Sequence, residues 1–340
     1  MNVTVVGASG ETGRSIIDGL LSSSTNFNVT AIVRPSSINK PAVQKIKSQG
    51  VSIVALELVN THEELVKALT GQDVVIVALE PFNLEPHLAL ASAAKDAGVK
   101  RYVPSGFGPS CPPTGVMMIR ELKERVINHI KKIYLPYTVI DVGMWYQIAI
   151  PRLPSGKIDY ALTYSSDRVA DEGQRSSSIT DLRDIGKYVE RIITDERTLN
   201  QYVFAYNEVW TQNQIWDHLE KISGEKIPRS PVSREEIDAT IAAAQTKYDG
   251  GDKSYQDLLG FVVPQYFRSE WHREDNIPER AKYLGYLTTK DLYPDLEYTK
   301  FETYLDELLK GSGVPVYARE PVQSRPAVTL RSRDISHGRP

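Results

Sequence analysis

Six short apolar runs, rich in valine and isoleucine, alternate with helix-like stretches through the first 142 residues, and this alternation constrains the fold more than anything else in the chain. The runs cover residues 2–6, 28–33, 51–56, 73–79, 100–104 and 137–142, and the intervening stretches cover 12–23, 40–49, 61–69, 85–97 and 115–133. Strands that are apolar on both faces and separated by helices belong to a parallel sheet covered on both sides. The expected class is therefore α/β, a doubly wound parallel sheet of the Rossmann type. Past residue 150 the pattern loosens, with helices over 182–194, 212–223 and 235–247 and an aromatic-rich stretch from 255 to 304. A chain of 340 residues exceeds the usual single core. The division it suggests is a dinucleotide domain over 1–150, a smaller α+β substrate lobe over 151–318, and a flexible tail over 319–340.

Ligands of doubly wound sheets lie beyond the carboxyl ends of the strands, which directs attention to the loops that follow them. The first loop carries Gly7, Ser9, Gly10, Glu11, Thr12 and Gly13, a G-x-x-G-x-x-G turn directly after a strand and opening a helix. In that setting backbone N–H groups approach a diphosphate at a helix N-terminus, and Ser9 and Thr12 add hydroxyls. A tight connection using glycine only for positive φ is the plainer alternative. The second strand ends in Arg34, with Ser36 and Lys40 close behind, where a site for NAD would carry an acid for the ribose diol. A cation and hydroxyls suit a 2′-phosphate, so the expected cofactor is NADP(H), unless Arg34 is simply a solvated arginine. From the later loops, Leu79, Glu80, Ser105, Gly106, Phe107, Gly143, Met144 and Trp145 are expected along the cofactor. Glu80, Phe82, Phe107, Trp145 and Tyr146 are expected along the substrate.

One lysine stands on an unexpected face. At about 100° per residue, Val116, Ile119, Leu122, Val126, Ile127, Ile130 and Ile133 gather into one arc of the 115–133 helix. Lys123 falls inside that arc, whereas Arg120, Glu121, Glu124, Arg125, Lys131 and Lys132 fall outside it. Burying an ammonium depresses its pKa toward the range useful for proton transfer, which makes Lys123 the catalytic candidate. Snorkelling from the edge of the stripe, or anchoring a ribose hydroxyl, are the other roles open to it. The Tyr-x-x-x-Lys pair of ordinary short-chain dehydrogenases is absent, since Ile119 holds the tyrosine position.

Composition narrows the partners. The formal net charge is -3 and no lysine or arginine run is dense enough for nucleic acid or an anionic membrane, which leaves a small molecule. One cysteine, Cys111, and six histidines without ligand spacing predict neither a disulfide nor a metal site. With no basic leader and no long apolar span, a cytoplasmic protein is expected, and a homodimer is open to it.

The residues also resemble a known family, the NmrA-like and isoflavone reductase-like proteins, atypical members of the short-chain dehydrogenase superfamily. The resemblance rests on G-A-S-G-E-T-G at 7–13, V-R-P-S at 33–36, A-A-K-D-A-G-V-K-R-Y-V-P-S-G-F-G at 93–108 and E-L-K-E-R-V at 121–126. L-P-Y-T-V-I at 135–140, D-I-G at 184–186 and Y-P-D-L-E-Y-T at 293–299 extend it. It implies a Rossmann domain and a smaller lobe with a cleft between them, NADPH, and an aromatic or polycyclic secondary metabolite as substrate. It also implies that the helix lysine matching Lys123 is the catalytic residue beside the nicotinamide. A redox-neutral isomerase or cyclase and a non-catalytic redox sensor are the other functions such a chain can have. Two departures stand out: the usual P-S-E-F-G reads Pro104, Ser105, Gly106, Phe107, Gly108, and small polar residues after the fourth strand are replaced by Leu79, Glu80, Pro81 and Phe82.

Overall fold

The side chains of β1 (Asn2–Val6) point alternately into two covered faces of a sheet. Val3 and Val5 enter one apolar cluster and Val6 the other, and β4 (Val74–Val77) divides the same way, with Val74 and Ile76 opposed to Val75 and Val77. A strand without a polar side is what the centre of a parallel sheet requires. With β2 (Asn28–Val33), β3 (Ser52–Ala55) and β5 (Arg101–Val103), these strands form a five-stranded parallel sheet in the order β3-β2-β1-β4-β5. The crossovers are α1 (Glu11–Ser22), α2 (Pro41–Ser48), α3 (His62–Leu69), α4 (Leu84–Asp96) and α5 (Met118–Lys132), each close to its expected bounds. The computed structural model of the chain describes residues 1–163, 166–250 and 254–317, so the tail expected over 319–340 lies outside the described residues.

The sheet does not end at residue 150. β6 (Thr138–Asp141) joins it through a single parallel bridge between Tyr102 and Tyr137, where the Tyr102 N–H donates to the Pro136 carbonyl at 2.8 Å. Beyond β7 (Met144–Trp145), β8 (Arg168–Ala170), β9 (Ser176–Thr180) and α6 (Ile185–Thr194), β10 (Gln201–Phe204) pairs in parallel with β6. After β11 (Glu208–Thr211), α7 (Gln212–Ser223), β12 (Ser230–Val232), α8 (Arg234–Gly250), α9 (Tyr255–Phe267) and α10 (Pro278–Tyr283), β13 (Tyr286–Thr288) pairs in parallel with β10. The expected boundary at 150 thus cuts through a continuous sheet. Strands of three or four residues are too short to show a period, which is why the sequence does not announce them. Helix α6 also returns to the sheet, where Ile185, Val189 and Ile192 share an apolar cluster with Ile16, Ile17 and Leu20 of α1.

The remaining elements form the lobe. β7, β9 and β11 make a small sheet in the order β11-β9-β7, and α7 starts from a capping box in which the Thr211 and Gln214 side chains bond each other's backbone N–H. After α11 (Thr289–Leu292) comes α12 (Phe301–Leu309), whose Phe301, Tyr304 and Leu305 pack with Tyr146, Ile150, Trp216 and Trp271 in a separate core. Among the described residues no helix is long and apolar enough to cross a membrane.

Candidate functional site

The loops at the carboxyl ends of β1, β4, β5 and β6 open onto one cleft of about 640 Å³, within the size range of small-molecule sites. Gly10, Glu11 and Thr12 line it, while Gly7 and Gly13 lie beneath and shape the turn. Gly7 has φ +85°, and a Cβ there would fall 2.4 Å from the Ala78 carbonyl oxygen; a Cβ on Gly13 would fall 2.2 Å from that of Gly7. Neither position admits a side chain. Gly10 begins α1 without a side-chain cap, which leaves the helix N-terminus to a ligand. Ser9 is half-buried next to the turn and does not line the cleft. Arg34, Ser36 and Lys40 are exposed past the end of β2, also outside the lining, and Arg34 makes no ion pair among the described residues. These residues fit NADP(H): an uncapped helix N-terminus suits the diphosphate, and an uncommitted guanidinium beside hydroxyls suits the 2′-phosphate.

Lys123 projects from α5 to the floor of the cleft, where its Nζ donates to the Gly106 carbonyl at 2.6 Å. Burial lowers its pKa, the nearby Asp141 carboxylate acts in the opposite sense, and Arg120 lowers it further. The floor is a tight loop. Ser105 Oγ donates to the Leu79 carbonyl at 2.6 Å, and Phe107 adopts φ +50° while its N–H donates to the Ile140 carbonyl at 2.7 Å. A Cβ at Gly106 would lie 2.3 Å from that same Ile140 oxygen, so this backbone excludes the glutamate of P-S-E-F-G.

Beneath Lys123 is a cluster that helical periodicity does not reveal. Arg120 is 4% exposed and donates at 2.5 Å both to Asp141 and to Glu124, and the Tyr286 hydroxyl donates to the same Asp141 oxygen at 2.5 Å. Its guanidinium carbon lies 5.8 Å from the Tyr202 ring centre and 6.0 Å from that of Tyr286. Although they stand outside the apolar arc, Arg120 and Glu124 are buried, because β10 and β13 bring tyrosines against that side of α5. Only their i, i+4 spacing hints at a pair. The second Asp141 oxygen has no hydrogen-bond partner among the described residues; with Lys123, Arg120 and His87, Asp141 borders a void of about 10 Å³, room for roughly one water.

Leu79, Glu80, Phe82, Ser105, Gly106, Phe107, Gly143, Met144 and Trp145 line the cleft. Tyr146 does not. Fully buried, it donates to the Thr299 carbonyl at 3.0 Å and packs 4.7 Å from the Phe301 ring in the lobe core, since the 3₁₀ turn after β7 directs it inward. The Glu80 carboxylate folds back to accept from the Phe82 N–H at 2.9 Å. The second half adds lining residues that no motif points to: Trp216, Tyr266, Phe267, Glu270, Trp271 and Tyr317. For those between 255 and 304, the aromatic richness of the stretch is the one signal. Tyr317 stacks on Trp145 with ring centres 5.9 Å apart. Cys111 is buried, its thiol pushed up to about 12, which makes it a packing residue rather than a nucleophile.

Fold and cleft together define a class, the doubly wound α/β proteins with a dinucleotide-type cleft at the carboxyl ends of their strands. Within that class the chain belongs to the NmrA-like family, whose profile matches residues 1–305. It is 41% identical over 314 residues to an asnovolin J 5′,6′-dehydrogenase of Aspergillus novofumigatus, covering 92% of this chain and 96% of that one. Isoflavone reductase has a similar structure, with a TM-score of 0.74 at 22% identity, over 90% of this chain and 98% of the other. So does the leucoanthocyanidin reductase of Vitis vinifera in its binary complex with NADPH, with a TM-score of 0.73 at 21% identity, over 91% and 100%. At these identities the structural likeness establishes the fold.

Proposed function

We propose that the protein is an NADP(H)-dependent oxidoreductase of an aromatic or polycyclic secondary metabolite, with Lys123 as the residue that moves the proton. The carrying observation is the position of Lys123, its ammonium on the floor of a cleft that runs from an uncapped helix N-terminus to an aromatic wall. When bound, the nicotinamide supplies or accepts the hydride. Gly10, Glu11 and Thr12 hold the dinucleotide at the turn, and Arg34 selects the phosphorylated form. Trp145 and Phe107 exclude water from the region above Lys123, which gives a proton to the substrate carbon or oxygen in reduction and takes one in oxidation. The relative from Aspergillus novofumigatus carries the name of a dehydrogenase, and this favours the oxidative direction as a second reading of the same apparatus.

The test follows nicotinamide absorbance and product mass together, with NADPH or NADP⁺, over a panel of fused-ring enones and their saturated partners. Stoichiometric conversion is expected, and Lys123→Ala should lose about 10²- to 10⁴-fold in kcat with NADPH affinity retained. Product formed without net NADPH oxidation or NADP⁺ reduction would favour a redox-neutral isomerase. A Lys123→Ala chain as active as the parent would remove the lysine from the mechanism.

A further inference from the structure

Glu270 is the carboxyl group the proposed reaction leaves unused. It lies in a π-helical turn, Arg268–His272, that continues α9, a distortion often found at functional sites. The residue is 2% exposed yet lines the cleft beside Trp216, Phe267 and Trp271. Its carboxyl has no hydrogen bond or ion pair among the described residues. The charges that flank it in sequence are committed elsewhere. Arg268 donates to Asp238 at 3.0 Å and to the Val116 carbonyl at 2.8 Å, Arg273 holds Asp275 at 2.7 Å, and Glu274 accepts from Arg175 at 3.1 Å. One turn earlier on the same side, Tyr266 also lines the cleft, and its hydroxyl too has no partner among the described residues.

A carboxylate in such a place would be an isolated buried charge, which is strongly disfavoured, and burial pushes Glu270 well above the ordinary carboxyl range. As a neutral acid it has an O–H to donate. A cationic ligand would restore a charge to an aromatic wall in a cleft that already holds Lys123 and Arg168. We propose that Glu270 and Tyr266 form a neutral donor pair that anchors a carbonyl or ester oxygen of an uncharged fused-ring substrate, at the end of the cleft formed by the lobe. The inference rests on the oxidoreductase reading of the cleft and adds what the distal end recognises.

Two measurements on the full chain test it. An infrared difference spectrum of Glu270→Gln against the parent at neutral pH should contain the C=O stretch of a protonated carboxyl, and that band should move to lower frequency when progesterone, a neutral fused-ring diketone, binds. Progesterone binding is read from quenching of the cleft tryptophans. Glu270→Leu and Tyr266→Phe should each weaken it about tenfold, the worth of one hydrogen bond, while Glu270→Gln, which keeps a donor, should stay within about threefold. An ionised Glu270, progesterone binding that Glu270→Leu leaves unchanged, or a parent chain that does not bind progesterone overturns the proposal. If Glu270→Leu does not fold, the infrared band and Tyr266→Phe still decide. NADPH titration of every variant separates the two ideas: a parent chain that does not bind NADPH defeats the oxidoreductase reading, whereas NADPH binding with unaltered progesterone affinity defeats only this one.

Discussion

Lys123 stands between opposing influences on its proton. Burial and Arg120 disfavour the ammonium, and the Asp141 carboxylate favours it. Asp141→Asn removes the one nearby carboxylate that keeps the proton on, so the Lys123 pKa falls further. If Lys123 donates the proton in reduction, activity declines as pH rises through that pKa, and the alkaline limb of the kcat profile should move to lower pH in Asp141→Asn and disappear in Lys123→Ala. Steady-state rates across pH check this, and an unmoved limb would show that the lysine only positions. At this scale the sequence is legible where a residue breaks its own element's pattern, as Lys123 does on an apolar arc. Partnerships formed across the chain are not legible. Asp141 meets Tyr286 over 145 positions, and Glu270 is notable only because no partner reaches it among the described residues.

The elements of the first half are readable because a sheet covered on both faces writes continuous apolar runs, and the glycine turn marks the first of them. β10 and β13 write no such signature, and neither does the device that ties α6 to the sheet. Arg101 of β5 is buried and donates to the carbonyls of Ile192 and Asp195 at 2.7 and 2.9 Å and to Thr198 Oγ1 at 2.7 Å. It satisfies carbonyls that the end of a helix leaves open, with a positive charge at the negative end of the dipole. Arg101→Met removes the charged donor from acceptors that Thr198 also reaches through its hydroxyl and N–H, and should cost about 2 kcal/mol in urea unfolding. NADPH affinity should be unaffected, since Arg101 begins β5 and the cleft lies past the other end of that strand. A loss under about 1 kcal/mol would mean that water replaces the guanidinium at little cost.

At the scale of the whole molecule, the change of sequence pattern near residue 150 marks a change of architecture within one sheet. β6 has β10 as its neighbour, β10 has β13, and α6 covers the apolar side of α1. A fragment of residues 1–150 would uncover Ile16, Ile17 and Leu20 and open the Arg120–Asp141 pair to water on the side of Tyr202 and Tyr286. Loss of that cover removes burial worth more than the few kcal/mol by which a domain is stable. The fragment should therefore show no cooperative unfolding and no NADPH binding. The full chain should unfold in one transition, with circular dichroism and tryptophan fluorescence coinciding. NADP⁺ at a hundred times its Kd should raise its stability by about 2.7 kcal/mol, because a ligand held between the glycine turn and Trp145 binds only the assembled cleft. A 1–150 fragment that melts cooperatively and binds NADPH would show instead that the strands from β1 to β7 suffice, and that β10 and β13 are additions to a domain already complete.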